Sequence, residues 1–294
     1  LEMKTIIIIV LAVEWLTDPF EVGFVARALW GGLLVSAICG LAGTWVVLRG
    51  MAFMSDAMAH GMLPGVAIAS LLGGSLLLGA ALSAVAMALG VTALSRAPRL
   101  SQDTGIGLLF VGMLSAGVII VSHSQSFAVD LTGFLFGDVL AVRNIDLVVL
   151  AGALAVALVL TVACHRSFVA LAFDRRKSMT LGLRPGLAQG LMSALLTLAI
   201  VASFHVVGTL LVFGLLIAPP AAMSLWANRI PTIMLGAAAI GGTATACGLL
   251  ISWHFGTAAG ATIAGFAVAC FFVSVLATLV RDRFHSPITL LKGH

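Results

Sequence analysis

Charge is what this sequence has least of. Only 9% of its 294 residues are Asp, Glu, Lys or Arg, whereas 61% are hydrophobic. Soluble domains carry about 25% charged residues. A water-soluble globule of this length could not hide so much apolar surface, so that class is excluded and lipid is the consistent solvent. Cysteine is also scarce. Cys39, Cys164, Cys247 and Cys270 lie far apart in or beside apolar runs, with no CxxC spacing. This argues against a disulfide framework or a thiolate metal cluster and for small buried hydrophobes. A P-loop pattern is missing too, and no loop is long enough to hold an ATPase, receptor or enzyme domain. Energy for any transport must then come from an ion gradient or from partner chains. The formal charge of +4 resides in short loops, where it orients a membrane protein. It does not point to nucleic acid.

What the chain has in quantity is apolar runs, each close to the roughly 20 residues a spanning helix needs. They are Phe24 to Leu48, Met58 to Leu72, Leu76 to Leu94, Gly105 to Val121, Leu147 to Ala163, Leu187 to Phe204, Thr209 to Trp226, Pro231 to Ile251 and Ala261 to Val280. The expected fold is an all-α polytopic transmembrane helix bundle of eight to ten spans. The second run is short and carries Pro64, which allows an earlier start near Phe53 and a bend. Residues 1–20 read as an N-terminal interfacial helix, with Leu1 and Glu2 ahead of Met3 as a cloning remnant. Residues 21–284 read as the transmembrane domain and 285–294 as a cytoplasmic tail.

Arginines and lysines orient the set. Arg96 with Arg99, the group Arg175, Arg176, Lys177 and Arg184, then Arg229, and Arg281 with Arg283 fall on one side if every run spans. That side should be the cytoplasm. The stretches His123 to Asp130, His205 to Gly208 and His254 to Ala259 then face outward. The N-terminus lies outside on this count, or inside if the first short apolar run also crosses. Among the 32 glycines, pairs such as Gly61 with Gly65, Gly186 with Gly190, and Gly256 with Gly260 have the small-xxx-small spacing that lets helix backbones approach closely in lipid.

Ionisable residues at membrane depth are costly and are functional candidates by default. Asp56 and His60, in Phe53-Met-Ser-Asp-Ala-Met-Ala-His-Gly-Met-Leu-Pro-Gly, are four apart and so share a helix face. A carboxylate and an imidazole so placed can share one divalent cation such as zinc, manganese or ferrous iron. The same two groups could instead pair only with each other, or sit solvated in a loop. Met51, Met54, Met58 and Met62 beside them read as packing surface rather than a soft-metal route. Pro219-Pro220 inside an apolar run must interrupt the helical ladder. Together with Pro64 they are candidates for a pathway-lining or hinge feature, with a simple kink as the alternative. Asp138 reads as a cap for a short re-entrant helix.

Six stretches then carry a resemblance. They are Val47-Leu48-Arg49-Gly50 with the Asp56/His60 segment, Ser101 to Gly107, Leu135 to Leu140, Ala172-Phe173-Asp174 with Gly182, Val207 to Ala221, and Gly256 to Ile263. In this order they resemble the permease subunits of ATP-binding-cassette importers for divalent metal ions, the zinc/manganese/iron family. The resemblance covers nearly all of the chain after Phe20. It implies a homodimer or paired permease, cytoplasmic ATPase subunits, an extracytoplasmic metal-binding protein and a bacterial plasma-membrane location. The metal ion would be transported cargo, with no permanently bound cofactor, and ATP hydrolysis would belong to a partner rather than to this chain.

The resemblance gives Asp56 and His60 a metal-contact role. It makes Phe168 to Gly182, with Phe173, Asp174, Arg175, Arg176 and Gly182, the loop that docks on the ATPase. Two places depart from the family pattern: Arg176 stands where an acidic residue is usual, and Ala261 where proline is frequent. His205, His123 and His254 are secondary metal candidates near the expected outer face, against a plain reading as interfacial histidines. A gradient-driven secondary metal transporter is the alternative function. It would call for an internal repeat, which the sequence does not display.

Overall fold

The computed structural model describes residues 17–94, 101–122, 137–173 and 185–285; the side chains of Gln102, Phe173, His205, Asp282, Phe284 and His285 are not part of the description. The N-terminal stretch 1–16, His123, the docking residues Asp174, Arg175, Arg176 and Gly182, and the tail beyond His285 lie outside the described residues.

All regular structure among the described residues is helical. The helices are α1 (Gly23–Leu48), α2 (Ala52–Gly61), α3 (Leu63–Leu71), α4 (Leu76–Leu94), α5 (Gln102–Ser122), α6 (Asn144–Ala163), α7 (His165–Phe173), α8 (Pro185–Ser224), α9 (Ile230–Phe255) and α10 (Ala259–His285). A 3-10 turn, Val139–Ala141, precedes α6. Eight segments are long and apolar enough to cross a bilayer, counting Pro185–Phe204 and Val206–Ser224 of α8 separately. In lipid each backbone N–H must find its partner within its own segment, so apolar runs of this length settle as helices.

α1 is the central post. Its spanning window is 67% buried, as is that of Pro185–Phe204, whereas the windows in α5 and α10 are only 17% buried and present their apolar sides outward. The two limbs of α8 pack on α1 as a hairpin. Arg49 at the end of α1 donates to Gln189 near the start of α8. Gly31 then lies beside Val206, and Gly43 beside Leu216 and Pro220. The first limb therefore descends α1 and the second climbs back. The turn is made at Gly208, with φ 73° and ψ 164°. That region of backbone space is essentially reserved for glycine. Gly137, itself at φ 64°, is pressed against the Val207–Gly208 peptide so closely that a Cβ there would overlap it.

The proline pair interrupts the helical ladder without ending the helix. Pro219 and Pro220 sit inside a helix that continues to Ser224, and the pronounced break is at Gly208 instead. Pro220 has no N–H to give the carbonyl of Leu216. That carbonyl points at Gly43, where a side chain would collide with it. Glycine here accommodates the acceptor that proline leaves unpaired. Asp138 differs from the sequence expectation. Its carboxylate makes no cap hydrogen bond, and the backbone carbonyl of Asp138 accepts the N–H of Ala141 instead.

The second apolar run becomes two short helices. α2 starts at Ala52, six residues before the marked run, and the chain bends at Met62 into α3. At 1.5 Å per residue the two pieces measure about 15 and 14 Å. Phe53 is near Gly107, and Leu63 and Pro64 are near Gly117, so the bent pair runs alongside α5 in the same direction. α4 packs antiparallel to it, with Met87 against Gly61, and Gly79 and Ser83 against Gly65.

Charge separates along the bundle. Arg49 beside Gln189, Arg166 next to the Trp45 and His165 contact, and Arg281 stacked 5.1 Å over Trp226 gather at one end, with Arg229 and Arg283 adjacent in sequence. At the other end Arg27 donates to the carbonyl of Val142 at 2.9 Å. Arg143 there pairs with Asp146 at 3.2 Å, and that hydrogen bond and the carboxylate charge raise the arginine's pKa.

Candidate functional site

α2 positions the site. Its buried side is methionine and alanine: Met54, Ala57 and Met58 are all at most 1% exposed. These methionines pack the core and leave the remaining stripe, Phe53, Asp56 and His60, on the open side of the helix. Asp56 keeps 35% and His60 27% of its side-chain surface accessible. Neither is walled off, and neither lies at the end of the bundle. The His60 ring meets Phe110 edge-on at 5.8 Å, and Phe110 is about 12 Å along α5 from its start. Phe53 meets the same ring at 6.0 Å. The pair thus stands at the depth of a spanning helix.

Its geometry is compatible with both a shared cation and a pairing of the two groups with each other. His60 Nε2 is 3.5 Å from Asp56 Oδ1, longer than the usual span of a hydrogen bond between such groups. Two donors each about 2.1 Å from one ion, at a tetrahedral angle, stand about 3.4 Å apart. A separation of 3.5 Å fits two ligands of one ion and is equally within ion-pair reach. Among the described residues no three His, Cys, Asp or Glu side chains come together. One chain offers two donors and leaves room for others.

The other candidates are dispersed. His254 is at the opposite end from Arg49, near the start of α1, where Phe24 packs 6.2 Å from Trp253. Its Nδ1 is 2.9 Å from the carbonyl of Leu250. His205 lies in α8 just before the Gly208 turn. Pro64 is the second residue of α3 and is buried at the bend, while Pro219 and Pro220 are both buried, Pro220 beside Gly43 of α1. Phe173 closes α7 and so leads directly into the expected docking loop. His165 is not a freely solvated flank: its ring lies 5.8 Å from Trp45. Phe168, fully buried, packs edge-on to the same tryptophan at 5.3 Å. Sequence reading did not find Trp45, because a tryptophan in an apolar run gives no sign of the helix it will meet.

A groove of about 400 Å³ lies between α4 and the first limb of α8, lined by Ala81, Val85, Ala88, Gly190 and Thr197. It holds no titratable side chain and is separate from the Asp56/His60 face.

Eight apolar helices long enough to cross a bilayer define a multi-pass membrane protein. The chain belongs to the ABC 3 transport family, whose model matches residues 21–278. It is 35% identical over 263 residues to the "Manganese transport system membrane protein MntC" of Halalkalibacterium halodurans, covering 88% of this chain and 90% of that protein. It is 33% identical to the "Probable iron transport system membrane protein" of Haemophilus influenzae, covering 92% and 99%. Among solved structures, PsaBC from Streptococcus pneumoniae in complex with Fab matches with a TM-score of 0.78 and 31% identity, over 90% of this chain and 95% of that one. An ABC transporter in an inward-facing conformation matches with a TM-score of 0.68 and 18% identity over 86% and 85%, a likeness of fold. The spans and the bacterial relatives make this a multi-pass protein of a bacterial membrane.

Proposed function

We propose that this chain is the transmembrane permease of an ATP-driven importer of divalent metal ions, manganese, zinc or ferrous iron. The observation that carries the reading is the pair Asp56 and His60, 3.5 Å apart and half-open at span depth. A carboxylate there lowers the cost of bringing a doubly charged ion into a low-dielectric region, and a small ligand set permits release. The names of the manganese and iron relatives support the substrate class.

Two copies, or two paired permeases, bring their open α2 faces together across a two-fold axis, so that each contributes Asp56 and His60 and the ion meets four donors. A binding protein delivers the ion at the end that carries Arg27 and Val142. The arginine-rich end faces the cytoplasm and meets the ATPase subunits through α7 and the segment from Phe173 to Gly182. ATP binding and hydrolysis on those subunits rock the bundle between outward-open and inward-open arrangements.

The test is uptake by proteoliposomes holding the assembled transporter with its binding protein outside and ATP inside. Manganese(II), zinc(II) and iron(II) are supplied singly and in competition. At least one should accumulate, and only with hydrolysable ATP. Accumulation that ignores ATP and follows an imposed ion gradient would contradict the reading.

A further inference from the structure

From the bend between α2 and α3 we infer that Ser83 of α4 is a positioning residue for the Asp56/His60 pair. The inference rests on the metal reading of that pair.

The bend leaves carbonyls without their helical donors. Residue 64 is proline, so the carbonyl of His60 loses the N–H that a continuous helix would supply from that position. α3 takes Met62 as its N-cap, and its first ladder bond runs from Val66 N–H to the carbonyl of Met62. Gly61, between these two, directs its carbonyl sideways to α4, where the Ser83 hydroxyl donates to it at 2.8 Å. Ser83 is only 8% exposed, so the bond is shielded from water.

The direction of this bond is unusual in the bundle. The hydroxyls of Ser36, Thr44, Thr197 and Thr245 each donate to the carbonyl four residues back on their own helix. Ser83 instead bridges to another helix, 22 residues away in sequence, at the residue immediately after His60. Gly65 and Gly79 allow the approach, since a Cβ on either would strike the other's carbonyl. The Ser83 bond fixes the rotation of the last turn of α2, and with it the angle at which His60 faces Asp56. A lone back-bonded serine would have no such leverage.

Manganese(II) uptake is measured as a function of concentration in the assembled transporter carrying Ser83→Ala or Ser83→Cys. Alanine removes the donor, while cysteine keeps the side-chain shape with a somewhat larger sulfur and offers only a weak donor. Both should raise the apparent KM for manganese about fivefold, the factor carried by one buried hydrogen bond, with little change in maximal rate. If the alanine variant does not assemble, the cysteine variant carries the test. An unchanged KM, a loss confined to maximal rate, or a normal KM in the cysteine variant would overturn the inference. Asp56→Ala in the same preparation separates the two levels. Uptake retained there sinks the metal reading, whereas uptake lost there with unaltered Ser83 variants sinks only the positioning role.

Discussion

His60 Nε2 and Asp56 Oδ1 face each other across one turn of α2 at 3.5 Å, with Phe110 closing the side of the imidazole. The methionines on the far side of α2 are buried, so rotating the helix to hide the acid would expose core. The pair is held open by packing, and four consequences of this architecture can be measured.

Gly208 supports the hairpin of α8 with φ 73° and ψ 164°. Gly208→Ala should destabilise the folded chain by about 1–3 kcal/mol, the cost of holding a side-chain-bearing residue in that region. The thermal midpoint of the detergent-purified protein should fall measurably. An unchanged midpoint would mean that the turn is not under this constraint.

Gly65 and Gly79 bring α3 and α4 into backbone contact. Gly65→Ala must displace the carbonyl of Gly79, and a displaced backbone is not relieved by a rotamer change. Overpacking of this kind costs about 1–3 kcal/mol. Size-exclusion profiles after graded heating should show earlier loss of the monodisperse peak than for Gly186→Ala, whose site has open space around it.

Trp45 is fully buried and holds α7 through Phe168 and His165. Trp45→Ala should cost about 3–5 kcal/mol and loosen α7 from α1. Limited proteolysis with trypsin should then cut at Arg166 sooner than in the parent protein. Equal cutting rates would show that α7 is held by other contacts.

The spans were legible in the sequence because lipid imposes one requirement, an unbroken apolar helix. Seven of the nine marked runs lie within the long helices, and an eighth, Thr209 to Trp226, overruns its helix by two residues. The candidate pair was legible because four-residue spacing on a helix fixes a shared face without reference to anything distant. The bend at Met62 was only half legible: Pro64 signalled it, but the serine that meets the freed carbonyl is on another helix. The break in α8 was legible as the gap between the apolar runs Leu187 to Phe204 and Thr209 to Trp226, whereas Pro219-Pro220, the stronger local signal, did not end the helix. A buried proline pair can stay helical when Gly43 yields space to the carbonyl of Leu216. Asp138 had a capping composition, yet the turn after it closed through backbone alone.

The central claim is that a doubly charged ion passes Asp56 and His60, and ATP-dependent manganese(II) uptake by the assembled transporter carrying Asp56→Ala tests it most directly. The account predicts uptake at the level of empty liposomes, from a complex that still assembles with its ATPase subunits and hydrolyses ATP. Uptake at the parent rate from that complex would contradict it.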